Sequence, residues 1–177
     1  MRSARFTRAR RWPPPFETDS FLFRPTILEP SMTNAPLHLQ PAVAQSLDKW
    51  HAMIERKDFG ALESIVHPDA VFRSPMAFKP YGPAPALLLA LRTVVTILQD
   101  FTYYRQFVTD DGKSVVLEFS ATIGDKALKG IDMIRFDDEG RIVEFEVMIR
   151  PFNALQALGA EMGARLAQQL PAFKLGG

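Results

Sequence analysis

The sequence contains no cysteine, and only three of its 177 residues are histidine. The absence of cysteine excludes disulfide scaffolds, thiolate nucleophiles, iron–sulfur clusters and cysteine-ligated zinc sites. The histidines lack the paired helical spacing of zinc motifs, and no Gly-Lys-Ser/Thr phosphate loop occurs, so no cofactor is predicted. No apolar run approaches the roughly 20 residues of a bilayer-spanning helix, so no membrane partner is predicted.

The composition is that of a globular domain, with 47% hydrophobic and 23% charged residues. The net charge of +1 conceals two unlike parts. Residues 1–31 hold six arginines and three acids, a net +3, whereas the remaining residues carry a net −2. The first part also holds Pro13, Pro14 and Pro15, which cannot lie inside a helix. We therefore predict that 1–40 is a disordered, basic, proline-rich leader.

Three interpretations of this leader stay open. It is either a targeting segment, a nucleic-acid-binding arm with Phe6 and Trp12 among its arginines, or miscalled coding sequence upstream of a true start at Met32. Short basic tracts are unspecific, so no nucleic-acid partner is predicted. The leader has no apolar secretory core, and a cytoplasmic location is expected.

Hydrophobic periodicity predicts helices followed by a sheet. The period is helical up to residue 99 and changes to two from residue 101 onwards. The helix over 84–99 is apolar nearly all round, so it must be buried. The turns between the later strands carry Asp and Gly, as hairpins do. The predicted helices are 42–57, 58–66 (capped by Asp58), 84–99 and 153–169, and the predicted strands are 70–74, 101–109, 113–123, 126–136 and 141–150.

The predicted class is α+β, with a curved antiparallel sheet wrapped around the N-terminal helices. The folded domain is expected over 41–152, followed by an amphipathic C-terminal helix and tail over 153–177. Helix 153–169 either covers an opening of the sheet or extends a dimer contact.

Asp132 is the most informative residue, because it lies on the more apolar face of strand 126–136. A buried carboxylate costs several kcal/mol unless it is paired, hydrogen-bonded or protonated. One interpretation is an ion pair with Arg105 or Arg150 of a neighbouring strand. The other is a pocket acid with a raised pKa, which donates a hydrogen bond to a ligand carbonyl.

Three segments, 50–59, 67–72 and 130–142, resemble the nuclear transport factor 2-like superfamily in its SnoaL-like and ketosteroid-isomerase-like branch. They begin with Trp50-His51, His67-Pro68 and Gly130-Ile131, and the resemblance covers 41–152. It implies a cone-shaped sheet whose interior holds the ligand, and a homodimer formed through the outer face of the sheet.

The resemblance to ketosteroid isomerase places Trp50 where that enzyme has a tyrosine and Ser74 where it has a catalytic base. Asp132 takes the place of its protonated aspartic acid. A serine cannot accept a proton from carbon without its own base, so the steroid-isomerase mechanism is not implied. The indole of Trp50 can still donate a hydrogen bond, although packing in the core also explains this residue.

We therefore predict an interior pocket for a small apolar ligand with a carbonyl group, with Asp132 as the candidate catalytic residue. The alternatives are an isomerase or polyketide-cyclase-like enzyme that uses Asp132 as acid and base, and a non-catalytic dimeric interaction module. Tyr103 and Arg105 are expected on one face of strand 101–109, which either contacts the ligand or faces solvent or a dimer partner. The predicted ligand-binding residues are Trp50, Ile54, Phe72, Ser74, Phe78, Tyr81 and Tyr103.

Overall fold

The computed structural model describes residues 38–175, and the predicted leader lies almost wholly outside them. Three helices and two 3₁₀ turns surround one face of a five-stranded sheet. The helices are α1 (Pro41–Arg56), α2 (Ala84–Val94) and α3 (Phe152–Leu166), and the 3₁₀ turns are Leu62–Ile65 and Leu170–Phe173. The strands are β1 (Val66–Arg73), β2 (Gln99–Val108), β3 (Ser114–Ile123), β4 (Lys126–Phe136) and β5 (Ile142–Arg150).

The sheet has the strand order β1-β5-β4-β3-β2. Strands β2 to β5 form the predicted antiparallel meander, and β1 adds to it in parallel beside β5. The α+β class is therefore confirmed. The glycines of the three predicted turns, Gly112, Gly124 and Gly140, all have positive φ, as tight hairpins require.

Two local predictions are wrong. A helix over 58–66 does not form; its one regular part is the 3₁₀ turn, and the Asp58 carboxylate accepts a hydrogen bond from Gly60 N–H at 2.9 Å instead of capping a helix. The strand predicted over 70–74 begins earlier, because residues 67–69 belong to β1, which pairs with β5 from Val66 onwards with an irregularity before Val71. Pro68 lies in that irregularity, since proline cannot donate to a strand ladder.

The helices cover the inner face of the sheet and divide its core into two parts. Helix α1 buries Val43, Leu47 and Trp50, which lie on one side of the helix, in a cluster shared with α2 and β1. Helix α3 buries Ala154 and Leu158 in a second cluster over the far ends of β3 and β4. Helix α2 ends at Val94, earlier than predicted, because the chain enters the sheet at Gln99. No helix within 38–175 has both the length and the apolar character needed to cross a membrane.

Gly130 on β4 allows the ring of Phe119 on β3 to lie flat against the sheet. A Cβ at residue 130 would approach Phe119 Cζ to 2.3 Å and the carbonyl oxygen of Met148 to 2.6 Å. The ring of Phe119 in turn stacks on Phe101, with centroids 4.9 Å apart. The lack of a side chain at Gly130 thus sets the position of the aromatic rings between the two clusters.

We expect Gly130→Ala to lower the free energy of unfolding by about 2 kcal/mol, because the added methyl group overpacks a rigid site that includes backbone. Urea denaturation provides the measurement. The control is Gly163→Ala on α3, where an added Cβ meets nothing within 4 Å. That change should be neutral or stabilising by up to about 1 kcal/mol, since alanine favours helix more than glycine does. Equal effects of the two variants would contradict this account.

Candidate functional site

A cavity of about 310 Å³ lies between the two core clusters. Its volume is at the lower end of the range for small-molecule sites. The walls are largely apolar and come from α1, α2, α3 and the inner face of the sheet. Helix α3 therefore covers an opening of the curved sheet, one of the two positions predicted for the C-terminal helix. Its contribution to the wall consists of Leu158, Gly159, Met162, Gly163 and Leu166.

Asp132 faces this cavity from β4 and is 6% exposed. Its Oδ2 accepts a hydrogen bond from the Tyr103 hydroxyl at 2.5 Å. The Trp50 indole N–H donates in turn to the Tyr103 oxygen at 3.1 Å. The three side chains thus form one hydrogen-bonded chain from α1 through β2 to β4.

The predicted alternative of an ion pair at Asp132 is wrong. Arg105 instead pairs with Glu118 on the outer face of the sheet. Arg150 lies at the register position opposite Lys129, whose side chain points away from the inner face. Among residues 38–175, Tyr103 is the one side chain that donates a hydrogen bond to Asp132.

A bulge in β2 separates Tyr103 from Arg105. Tyr103 lies opposite Phe119 and Arg105 lies opposite Glu118, so Tyr104 is an extra residue on the β2 side. An extra residue reverses the alternation of side chains beyond it. The prediction that Tyr103 and Arg105 share a face is therefore wrong, and Tyr103 alone points inward.

Burial raises the pKa of Asp132 to about 7, and the hydrogen bond from Tyr103 opposes this rise only in part. At about 1.4 kcal/mol for each pKa unit, the ionised form costs roughly 4 kcal/mol relative to an exposed aspartate. The pKa of Tyr103 is raised well above its usual value, first by burial and then by the Asp132 charge. Near neutral pH, Tyr103 is thus a fixed donor and Asp132 changes its protonation state.

Seven of the eight predicted site residues line this cavity: Trp50, Ile54, Phe72, Ser74, Tyr81, Tyr103 and Asp132. Phe78 does not, and its side chain is fully exposed. The loop after β1 folds back so that Phe72 and Tyr81 exchange two backbone hydrogen bonds of 2.8 Å. This pairing places Tyr81 at the cavity wall and leaves Phe78 in the part of the loop that projects into solvent.

Ser74 lines the wall without a base beside it. Its hydroxyl oxygen accepts a hydrogen bond from Met76 N–H at 3.2 Å, a contact within the loop. Within residues 38–175, no histidine or carboxylate is hydrogen-bonded to Ser74, and no cluster of acidic and histidine side chains is arranged to hold a metal ion.

The sequence did not predict that Lys57, or residues of α2 and α3, would line the cavity. Lys57 follows Trp50 by seven residues and Ile54 by three, and this helical spacing would have placed it on the same stripe. Phe101 and Phe119 were also missed, because their contribution depends on the space above Gly130.

The model of the SnoaL-like domain matches residues 47–145, more than half of the chain. The chain belongs to the SnoaL-like domain family. The predicted resemblance to the nuclear transport factor 2-like superfamily is thereby confirmed. Among proteins with curated functions, none matches this SnoaL-like chain.

Solved structures support the same assignment. A steroid delta-isomerase from Pseudomonas aeruginosa is 58% identical, with a TM-score of 0.73, and the match covers 76% of this chain and 98% of that one. A protein with a cystatin-like fold from Silicibacter pomeroyi is 24% identical, with a TM-score of 0.66, and the match covers 73% of this chain and 90% of that one. The second likeness supports the fold alone.

We expect Asp132→Asn to remove a pH-dependent loss of stability. The folded protein keeps the Asp132 proton up to a pH of about 7, whereas the unfolded chain loses it near its usual pKa of 3.8. The free energy of unfolding of the wild type should therefore fall, relative to the variant, as pH rises through this window, and level off above it. The total change should be roughly 4 kcal/mol.

Urea denaturation of both proteins across the window measures this difference. Tyr103→Phe provides a second variant, since it removes the hydrogen bond that lowers the pKa of Asp132. Its stability should level off at a higher pH than that of the wild type. A difference between wild type and Asp132→Asn that is the same at every pH would contradict the assignment of Asp132 as the titrating group.

Proposed function

We propose that the cavity binds a small apolar ligand whose carbonyl oxygen accepts a hydrogen bond from the protonated carboxyl of Asp132. The observation that supports it is a single titratable carboxyl in a largely apolar wall. Oδ2 is already occupied by the Tyr103 hydroxyl, so the proton of the neutral acid is available on Oδ1. An apolar site with one oriented polar group is typical of small-molecule binding.

The hydrogen-bonded chain orients this donor. Tyr103 cannot rotate away without losing its contacts with both Trp50 and Asp132. The ring of Phe101 packs edge-on against Tyr103, with centroids 4.9 Å apart, and restricts it further. A carboxyl group whose position is set before binding loses little conformational freedom when the ligand arrives.

We also propose isomerase activity at the same site as a second candidate. It is favoured by the 58% identity to a protein named as a steroid delta-isomerase, and by a pKa of Asp132 near neutrality. Asp132 is the one carboxylate in the described wall, so its ionised form would have to accept the proton from carbon and return it to another carbon. Polyketide-cyclase-like chemistry would depend on the same group.

The methyl ester of 3-oxoandrost-4-ene-17β-carboxylic acid is a suitable neutral probe, because it joins one enone carbonyl to a rigid apolar body. Asp132→Leu should weaken its binding about tenfold, since the carbonyl loses its donor. Asp132→Asn keeps an N–H donor and should bind with nearly wild-type affinity. Calorimetric titration measures both, and undiminished binding by Asp132→Leu would contradict the proposal.

The pH dependence of the ester affinity distinguishes the wild type from Asp132→Asn. Wild-type affinity should fall as pH rises above about 7, because the ionised carboxylate cannot donate. Asp132→Asn should show no such fall. For the isomerase candidate, conversion of androst-5-ene-3,17-dione is followed by enone absorbance and should be lost in Asp132→Asn. A wild type that binds the ester but converts no such substrate would reject the steroid-isomerase candidate and retain the binding function.

We propose further that two copies pair through the outer face of the sheet. Apolar side chains collect there, and Met148 and Phe107 are each about half exposed. Ion pairs flank these apolar side chains, such as Arg105–Glu118 and Arg135–Glu144, so positive and negative charges are balanced there. A surface with both apolar and balanced charged parts can be complementary to a second copy of itself about a two-fold axis. The remaining apolar members are Val116, Ile131 and Met133.

Met148→Glu should shift the protein from dimer to monomer at micromolar concentration, because it would place two like charges in the desolvated interface. Sedimentation velocity measures the change. Phe78→Glu is the matched control, since Phe78 is exposed but lies outside the sheet. A wild type that sediments as a monomer would contradict the proposed dimer.

A further inference from the structure

The cavity wall contains a single basic residue among residues 38–175, Lys57. Its side chain is exposed, and no ion pair formed within the described residues includes it. Asp132 is the one carboxyl of the wall. The cavity therefore has a titratable carboxyl at one place and, at another, a lysine that forms no ion pair within residues 38–175.

Helix α1 passes along the cavity from the Asp132 region to Lys57. Trp50, Ile54 and Lys57 follow one another at spacings of four and three, and all three line the cavity. Trp50 is hydrogen-bonded to Tyr103 at the Asp132 end. Seven residues at 1.5 Å each place the Cα of Lys57 about 10 Å further along the helix axis. Apolar side chains, including Ile54, line the wall between the two ends.

The backbone holds Lys57 in an unusual position. It is the C-cap of α1, with φ 54° and ψ 33°, in the left-handed region where glycine is favoured. Its N–H donates to the carbonyl oxygen of Ile54 at 3.2 Å, and Asp58 N–H donates to that of Met53 at 3.1 Å. A lysine here costs free energy relative to glycine. These two bonds fix the backbone position from which the Lys57 side chain extends at the cavity wall.

We infer that Lys57 binds an anionic group on the ligand, at the end remote from the carbonyl. The preferred ligands are then apolar acids, in which a rigid or extended apolar body joins a carbonyl to a carboxylate or similar oxyanion. This inference rests on the proposed function, because the carbonyl at Asp132 orients the ligand along α1.

The test compares 3-oxoandrost-4-ene-17β-carboxylate with its methyl ester, which differ in charge but share the same rings and carbonyl. Wild-type protein should bind the acid about three- to tenfold more tightly than the ester at low ionic strength. The ratio should shrink as salt is raised, because a partly exposed ion pair is screened. Calorimetric titration at constant pH provides both affinities.

Lys57→Gln should bring the acid-to-ester affinity ratio to about one or below. Lys49→Gln is the matched control, with the same loss of charge on the exposed side of α1, and it should keep the wild-type ratio. Lys57→Arg should retain the preference. Lys57→Gly should lose the preference for the acid over the ester. Its unfolding midpoint should equal or exceed that of the wild type, so a loss of ligand preference can be distinguished from a loss of folding.

A wild-type ratio near one, or a ratio that Lys57→Gln leaves unchanged, would overturn the role of Lys57 while the ester still binds through Asp132. A ratio that falls equally in Lys49→Gln and Lys57→Gln would also overturn it, because a general charge effect would then suffice. Failure of both steroids to bind the wild type would overturn the proposed function and this inference with it.

Discussion

The burial of one carboxyl group, Asp132, on the inner face of the sheet governs the chemistry of this site. Asp132 cannot be ionised in that place without a large loss of hydration, and no arginine within residues 38–175 compensates it. Its single donor, Tyr103, is itself oriented by Trp50. Because the three groups come from α1, β2 and β4, the hydrogen bonds connect the elements that enclose the cavity.

The cavity exists because the core is not packed continuously from α1 to α3. Two clusters of buried side chains fill the ends, and Tyr103, Val147 and Met162 contact both of them. Between them the wall includes glycines of α3, where larger residues would fill the space. A buried polar group and an open volume both reduce stability, and their occurrence at one place is what favours a binding function.

Much of the fold was predictable from local pattern, and the errors have local causes. The alternation over 126–136 gave β4 its observed bounds and placed Asp132 on the core face. The same alternation failed in β2, because the bulge after Tyr103 reverses the direction of Arg105. Phe78 was expected at the cavity as an aromatic loop residue. The pairing of Phe72 with Tyr81 decides instead which loop side chain points inward. The domain boundaries and the nature of the leader stay predictions.

Local sequence patterns were enough to predict the order of helices and strands, the hairpin turns, the SnoaL-like resemblance and the presence of one carboxylate on an apolar face. These features follow from periodicity and turn chemistry, which act between residues close along the chain. The folded arrangement was needed to show that Tyr103 is the partner of Asp132, that Arg105 points outward, and that Lys57 lines the same cavity as Tyr103 and Asp132. Such contacts depend on strand register, on bulges and on how helices lie across a sheet, and these are settled by packing between distant segments.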